Sequence, residues 1–251
     1  MIIDFPTDTA PLRTLWKQAF GDPDTFLDSF FSLGYAPTRC RQLTVDGKLA
    51  SVVYWFDCSL NGKKIAYLYA AATDKVMRGR GFCRTLMADT HRHLRTLGYE
   101  SAVLVPASPS LFGFYEKMGY RTFGGLHEIT CKAGMPIPVR QLSTEEYAAA
   151  RHVCLPDGGI VQENAFLEIL KTQVDFYKTD SSVFCAYRQA DTLFVPELLG
   201  DLGDAGGIVA ALGAKKGHLR TIGTSKPFAM YLPLTEHTTT PGYFGLALDD
   251  M

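Results

Sequence analysis

No run of this 251-residue sequence is apolar for long enough to span a bilayer, which excludes a transmembrane helix and leaves no membrane partner to expect. The opening stretch MIIDFPTDTAP lacks the basic and apolar regions of a secretory leader, so a cytoplasmic protein is expected. An excess of either charge is also missing. With 25 Lys and Arg against 26 Asp and Glu, a net charge of -1, nucleic acid finds no general basic surface, and any basic site must be local. Cysteine occurs at Cys40, Cys58, Cys83, Cys131, Cys154 and Cys185, without a Cys-x-x-Cys or a Cys/His cluster. That scatter speaks against a disulfide framework or a zinc site and fits reduced thiols. His91 and His93, two apart on a helix, face different ways and make no metal pair, so no metal is expected. What remains, 47% hydrophobic and 20% charged residues, is the composition of a soluble globular chain that can bury a core in one large domain or two small ones.

Periodicity then orders the elements. APLRTLWKQAF sets Leu12, Leu15, Trp16 and Phe20 at helical spacing, and DPDTFLDSFFSL does the same for Phe26, Leu27, Phe30 and Phe31 behind a cap at Asp22 or Asp24. Residues 39–73 read as three strands of an antiparallel meander, whose turns Asp46-Gly47 and Asn61-Gly62 supply the left-handed residues of two-residue hairpins. The third strand, Ile65 to Thr73, runs into DKVMRGRGFCRTLMADTHRHLRTLG. This is a glycine-rich loop that becomes an amphipathic helix, with Phe82, Leu86, Met87, Leu94 and Leu97 on one face and Gly98 ending it. SAVLVP follows as a strand apolar on both faces, then a helix capped by Ser108 and opened by Pro109, then a strand in YRTFGGLHEITCKA. Strand, glycine turn, helix and strand from Ile65 to Val105 make a crossover in which a ligand sits beyond the carboxyl ends of the strands.

The loop asks for an anion. The first turn of a helix leaves backbone N–H groups unpaired and carries the positive end of the dipole, and Arg78, Gly79, Arg80 and Gly81 gather at this one. A P-loop would need Lys and then Ser or Thr after its second glycine, where Phe82 and Cys83 stand, and a dinucleotide fingerprint would need a third spaced glycine. Arg78-x-x-Gly81-x-Cys83 instead resembles the Arg/Gln-x-x-Gly-x-Gly/Ala signature of the GNAT superfamily of acyl-CoA-dependent N-acyltransferases. PASPSLFGFYEKMGYRTF, Pro106 to Phe123, is similar to that family's later segment, a helix ending in Phe-Tyr-Glu-Lys-x-Gly-Phe/Tyr, and the spacing between the two agrees. The resemblance covers Ala66 to Phe123 well and the preceding helices and meander more loosely. It implies an α/β (α+β) GNAT fold, a mixed, mostly antiparallel sheet flanked by helices.

By that resemblance the anion is the pyrophosphate of coenzyme A, with acetyl-CoA as co-substrate. The N–H groups from Gly79 through Phe82 to Cys83 are expected to hold it, Arg78 and Arg80 to add charge, and glycine at 79 and 81 to permit close approach. Arg80 is equally well read as a solvated side chain, and Cys83, where the family has a smaller residue, as a packing group. The backbone of Ala71, Ala72 and Thr73 is expected to pair with the pantetheine arm, an N–H near Ala71 meeting the thioester carbonyl as charge develops there. Tyr115, in GFYEKMGY, takes the place of the general acid that protonates the leaving thiolate. An alkyl amine must also lose a proton. No family motif marks that base; Tyr69 and Asp57 lie near the acceptor side, and Glu197 in FVPELLGD ranks first.

A second unit is expected from residue 134 on, giving domains 1–133 and 134–251. Pro136 and Pro138 mark a linker, and Ser143 to Glu146 a capping box. AFLEIL echoes TFLDSF, and GDAGGIVAALGAKKGHLRTI follows TLFVPELLG as GRGFCRTLMADTHRHLRTLG follows IAYLYAAAT, an internal repeat. Asp201 and Asp204 stand where the first copy has Arg78 and Arg80, so a degenerate GNAT-like domain is expected that repels phosphate and closes the acceptor pocket. The expected function is transfer of an acetyl group from acetyl-CoA to a primary amine of a small molecule or peptide by direct attack. The alternatives are an aminoacyl-transferase of the tandem GNAT-like type, which needs a basic groove, and a non-catalytic acyl-CoA sensor, which has no use for Tyr115.

Overall fold

Tight turns set the register of the first strands. In the computed structural model, which describes residues 1–162 and 164–248, β1 (Ile2–Asp4) is followed by α1 (Ala10–Phe20) and α2 (Asp24–Ser29). Next come β2 (Cys40–Val45), β3 (Lys48–Leu60) and β4 (Lys63–Thr73). Asp46 and Gly47 have φ of 50° and 74°, and Asn61 and Gly62 52° and 74°, the left-handed pairs that the two hairpins need. Helix α2 runs into a π-turn at Phe30–Gly34. Trp16 of α1 meets the rings of Phe30, Tyr54 and Tyr69 at centroid distances of 4.5, 5.3 and 5.6 Å, so α1, α2 and one face of β3 and β4 share an aromatic core. Burying each such ring contributes roughly 1.5–3 kcal/mol.

Helix α3 (Phe82–Thr96) crosses back to β5 (Ser101–Leu104), which lies parallel to β4. It buries Leu86, Met87 and Leu94 with Thr90 and His91. Leu97, expected on the same face, is 43% exposed because the helix stops at Thr96 and Leu97 is its cap. The chain continues through α4 (Pro109–Glu116), β6 (Arg121–Lys132), β7 (Arg140–Leu142), α5 (Thr144–Cys154), β8 (Val161–Gln162) and α6 (Ala165–Lys171). Then follow β9 (Asp175–Lys178), β10 (Ser182–Gln189), β11 (Thr192–Gly200), α7 (Ala205–Ala211), β12 (Lys216–Ile222) and β13 (Lys226–Pro233).

Two compact units result. The first takes Met1–Leu104, Gly113–Arg121 and Tyr231–Thr239; the second takes Val105–Phe112, Thr122–Met230 and the chain from Thr240. Strand order is β1-β2-β3-β4-β5 in the first and β6-β12-β11-β10-β9-β7 in the second. In each, one neighbouring pair is parallel, β4 with β5 and β11 with β12, and the rest are antiparallel. Mixed, mostly antiparallel sheets with helices are what the sequence led us to expect. Phe184, Leu198, Ile208 and Leu219 centre the apolar core of the second unit.

The units do not divide at residue 133. Strand β6 pairs with β12 without interruption from Leu126–Ile222 to Lys132–Lys216, and a strand belongs with the sheet that satisfies its backbone. Tyr231–Thr239 in turn belongs with the first unit. There Arg95 Nε donates to the Leu234 carbonyl (2.9 Å), and the Leu234 N–H and Thr238 hydroxyl both donate to the Glu100 carbonyl (2.8 Å each). Pro136 and Pro138 therefore mark a bend within the second unit.

Ser143 opens α5 with the capping box. Its Oγ accepts from the Glu146 N–H at 3.2 Å, and Glu146 Oε2 accepts from the Ser143 N–H at 2.9 Å. Ser143→Ala is expected to lower the unfolding free energy by about 1 kcal/mol. Urea denaturation measures this, and an unchanged midpoint would mean that packing alone holds α5.

Candidate functional site

The parallel ladder of β4 and β5 is short. It joins Ile65 to Ser101, Ala66 to Ala102 and Tyr67 to Val103, while β4 runs on to Thr73. From Leu68 onward one edge of β4 has no partner in β5. On the other edge Val52 pairs with Ala72 and Tyr54 with Tyr69, so Ala70 and Ala71 together face Val53 in a β-bulge. Ala70 carries the strain, with φ of 48°. That conformation costs a non-glycine residue roughly 1–2 kcal/mol. An open strand edge is a slot along which an extended ligand can pair as one more strand.

Past Thr73 the chain turns into α3. The Asp74 N–H donates to the Ala50 carbonyl and its carboxylate accepts from the Val76 N–H, both at 2.9 Å. Arg78 Nε donates to the Thr73 carbonyl at 3.1 Å, which ties the arginine to the end of β4. Gly79 and Gly81 have φ of 77° and 81°, and a Cβ on either would meet nothing within 4 Å. The backbone here is both left-handed and open. The Thr85 N–H takes the Gly81 carbonyl at 3.0 Å, so the N–H groups of Phe82, Cys83 and Arg84 head the helix. With Arg78 exposed and Arg80 lying over the Phe82 ring at 5.0 Å, positive charge and N–H donors meet at one turn, the arrangement a phosphate needs. Burial pushes the Cys83 thiol up to about 11, against a hydrogen bond with Thr73 that lowers it, so Cys83 packs as a neutral thiol.

Tyr115 lies in the last turn of α4, 9% exposed, its ring edge-on to Phe114 at 5.3 Å and to Tyr120 at 5.7 Å. The Tyr120 hydroxyl meets His91 Nε2 at 2.7 Å. Burial drives His91 down to about 4, Arg95 adding to the effect, and burial lifts Tyr120 well above its ordinary value, so both are neutral at pH 7. This pair lay outside the sequence-based expectations. Its sign there was a histidine set between Met87 and Leu94 on the buried face of α3. Of the suggested bases, Asp57 is bound by Arg39 at 3.0 Å and by the Tyr99 hydroxyl, and Tyr69 stands in the aromatic core.

Glu197, ranked first as a base, is instead half of a buried ion pair in the second unit. It is 1% exposed, and Arg151 grips both oxygens, Nε on Oε2 at 2.6 Å and Nη2 on Oε1 at 2.9 Å. The hydroxyls of Tyr243 and Tyr147 add bonds of 2.9 and 3.2 Å. Burial acts to lower the Arg151 pKa, and the Glu197 charge outweighs it and raises it. A carboxylate enclosed in this way organises packing and is closed to an arriving amine. In the sequence it was only an acidic residue on an apolar strand, with its partner distant on α5.

The second unit repeats the local pattern of the first with the slot shut. Cys185 pairs with Glu197 and Tyr187 with Phe194, so Val195 and Pro196 face Ala186 in an equivalent bulge. By register Pro196 stands where the first unit has Ala71, and proline has no N–H to offer. The ladder of β11 with β12 continues past the corresponding point, from Thr192–Lys216 to Val195–Leu219, and after an irregularity at Pro196 and Glu197 resumes at Leu198–Thr221. Asp204 sits before α7, its Oδ2 accepting from the hydroxyls of Thr179 (2.6 Å), Ser181 (2.7 Å) and Ser182 (2.9 Å). Burial would raise its pKa, and the three hydroxyls together hold it below the ordinary aspartate value.

An open, bulged strand edge leading to a glycine turn at a helix start is the architecture of the acyl-CoA-dependent N-acyltransferases. A family model described as "Acetyltransferase (GNAT) domain" matches residues 6–123. This segment, a little under half of the chain, matches the GNAT superfamily. Solved structures share the fold. One from Enterococcus faecalis V583, described as a conserved protein of unknown function and "Probable N-Acyltransferase", has a TM-score of 0.71 at 14% identity over 93% of this chain and 72% of its own. A GCN5-related N-acetyltransferase from Kribbella flavida gives 0.68 at 14% identity, over 92% and 70% of the two chains. A GCN5-related N-acetyltransferase from Anabaena variabilis gives 0.67 at 14%, over 93% and 73%. No curated protein matches the sequence.

The buried histidine makes stability depend on pH. His91 titrates near 4 in the fold and at 6.5 in the unfolded chain, so the unfolded state binds more protons between these values. Its contribution is fully present above pH 6.5 and is lost as pH falls toward 4, up to about 3 kcal/mol. Urea titrations are expected to show that loss in the native protein and a shallower one in His91→Gln. Parallel curves would show that His91 is not held neutral.

Proposed function

We propose that the protein moves an acetyl group from acetyl-CoA to a primary amine of a small molecule or peptide, by direct attack of the amine. The observation that carries this reading is the early end of the β4–β5 ladder at Tyr67, with β4 running on to Thr73 and from there to the Gly79–Gly81 turn. Along it, Ala71, Ala72 and Thr73 offer backbone groups and small side chains to a pantetheine arm. The N–H groups from Gly79 through Phe82 to Cys83 take the pyrophosphate, with Arg78 and Arg80 beside them. The fit rests on the open space at both glycines, which any Cβ-bearing residue would occupy. The second unit is read as a degenerate GNAT-like copy, because its β11–β12 ladder extends to Val195 and resumes at Leu198, Pro196 has no donor and Asp204 brings negative charge. One acyl-CoA per chain follows. No helix among the described residues is long and apolar enough to cross a membrane, and we place the protein in the cytoplasm as part of this reading.

When bound, the co-substrate supplies a thioester whose acyl carbon is open to a nucleophile. The chain has two tasks there. The Ala71 N–H donates to the thioester oxygen, where negative charge grows as the amine adds. Tyr115 gives its hydroxyl proton to the sulfur as the bond to carbon breaks, and the proton that the amine nitrogen loses on becoming an amide returns through water to the phenolate.

Gly81→Val places a branched side chain in the phosphate space and strains a left-handed backbone. Coenzyme A binding is expected to weaken more than about tenfold, or about 1.4 kcal/mol. Calorimetry on a folded variant decides, and unchanged affinity would remove the turn from the site. The same titration on the native chain is expected to give one coenzyme A, and two would refute the reading of the second unit. Tyr115→Phe is expected to lower turnover by about 10²–10⁴ with little change in coenzyme A affinity. An unchanged rate, with chemistry limiting, would make Tyr115 a core residue.

A further inference from the structure

Three rings of the first unit lock together around the proposed proton donor. His91 on the buried face of α3 is 6% exposed, Tyr120 between α4 and β6 is 2% exposed, and Tyr115 is 9% exposed. His91 and Tyr120 meet twice, Nε2 against the hydroxyl at 2.7 Å and ring against ring at 5.6 Å. Tyr120 then meets Tyr115 twice. Its N–H donates to the Tyr115 carbonyl at 3.2 Å, and its ring stands edge-on to the Tyr115 ring at 5.7 Å. The turn between the two tyrosines is itself held. The Met118 N–H shares the Tyr115 carbonyl at 2.9 Å, the Gly119 N–H takes the Glu116 carbonyl at 2.9 Å, and Gly119 adopts a left-handed φ of 92°.

A buried hydroxyl and a buried imidazole have little water to turn to, so the bond between them persists and Tyr120 keeps one rotamer. An edge-on neighbour in turn limits how a tyrosine ring can rotate. His91 and Tyr120 are both neutral at pH 7, so they bring no charge to the site and act through geometry. We propose that His91 and Tyr120 are positioning residues: His91 fixes the Tyr120 ring, and that ring holds Tyr115 so that its hydroxyl keeps one place. The catalytic consequence rests on the acyl-transfer reading, whereas the hold on the Tyr115 ring does not. A reacting group displaced by about 1 Å can lose about 10²-fold in rate.

Two measurements on the full chain separate the hold from the chemistry. In magnetic resonance spectra of protein with tyrosine isotopically labelled at Cζ, the line that disappears in Tyr115→Phe belongs to Tyr115. That line is expected to shift or broaden in His91→Leu, which removes the partner of Tyr120. In His91→Gln, whose amide can still meet the Tyr120 hydroxyl, it should return toward its native position. The second measurement is thiol release from acetyl-CoA with benzylamine as the probe amine. Tyr120→Phe, which keeps the ring and loses the hydroxyl, and His91→Leu are each expected to lower kcat about tenfold, with KM for acetyl-CoA within about twofold of native. The pair acts as a unit, so the double variant should lose no more than either single one, and neither change should lower the residual rate of Tyr115→Phe. His91→Gln should recover most of the lost rate. If circular dichroism shows that His91→Leu is misfolded, Tyr120→Phe and His91→Gln decide. An unmoved Tyr115 line in a folded His91→Leu would overturn the proposal. So would a native kcat in Tyr120→Phe where Tyr115→Phe is slow, a loss that falls on KM, or a loss that persists in Tyr115→Phe. Where benzylamine releases no thiol, or Tyr115→Phe is as fast as the native chain, the acyl-transfer reading is what fails, and the Tyr115 line alone decides the hold.

Discussion

Where a ladder between two strands ends early, the strand that runs on can take another partner along that edge, and in the first unit β4 runs on past Tyr67 to Thr73. The long hairpin with β3 keeps the strand in place, so this edge is held rigidly. The bulge at Ala70 and Ala71 breaks the regular alternation at one spot, and the strained φ of Ala70 shows that surrounding pairing enforces it. Arg78 on the Thr73 carbonyl, the left-handed glycines and the start of α3 all come after this edge and extend it. Without the early end of the β4–β5 ladder, the same turn would follow a strand paired on both edges.

The second unit partners the corresponding edge with its own atoms. The β11–β12 ladder extends to Val195 and resumes at Leu198, Glu197 fills the position next to the bulge and is neutralised by Arg151, and Asp204 takes three hydroxyls. Each of these closes a place that the first unit leaves open. A buried ion pair adds little net stability against an apolar replacement, although removing one partner is costly. Its presence beside the bulge therefore reflects the local need to fill space with matched groups.

What was legible in the sequence was local. Asp46-Gly47 and Asn61-Gly62 fixed the meander, Ser143 and Glu146 the start of α5, and the Arg78–Cys83 spacing with the Tyr115 segment pointed to the family. The bulge was hidden because Ala70 adopts a left-handed φ without glycine's signature. Glu197 misled because its partner lies on another element, and a charge on an apolar strand looks the same whether it serves chemistry or packing. The expected boundary failed for a related reason. The β6–β12 pairing joins stretches of chain far apart in sequence, which no run of prolines reports.

The interleaving of the units bears on how the chain is made. The first unit includes Tyr231–Thr239, which secures Glu100 and Arg95, yet these residues leave the ribosome only after nearly all of the second unit has emerged. The β1–β5 sheet can gather early from its hairpins, but the end of α3 and the start of β5 must wait for that late segment. The half of the protein that carries the family signature is thus the first to be synthesised and among the last to be completed.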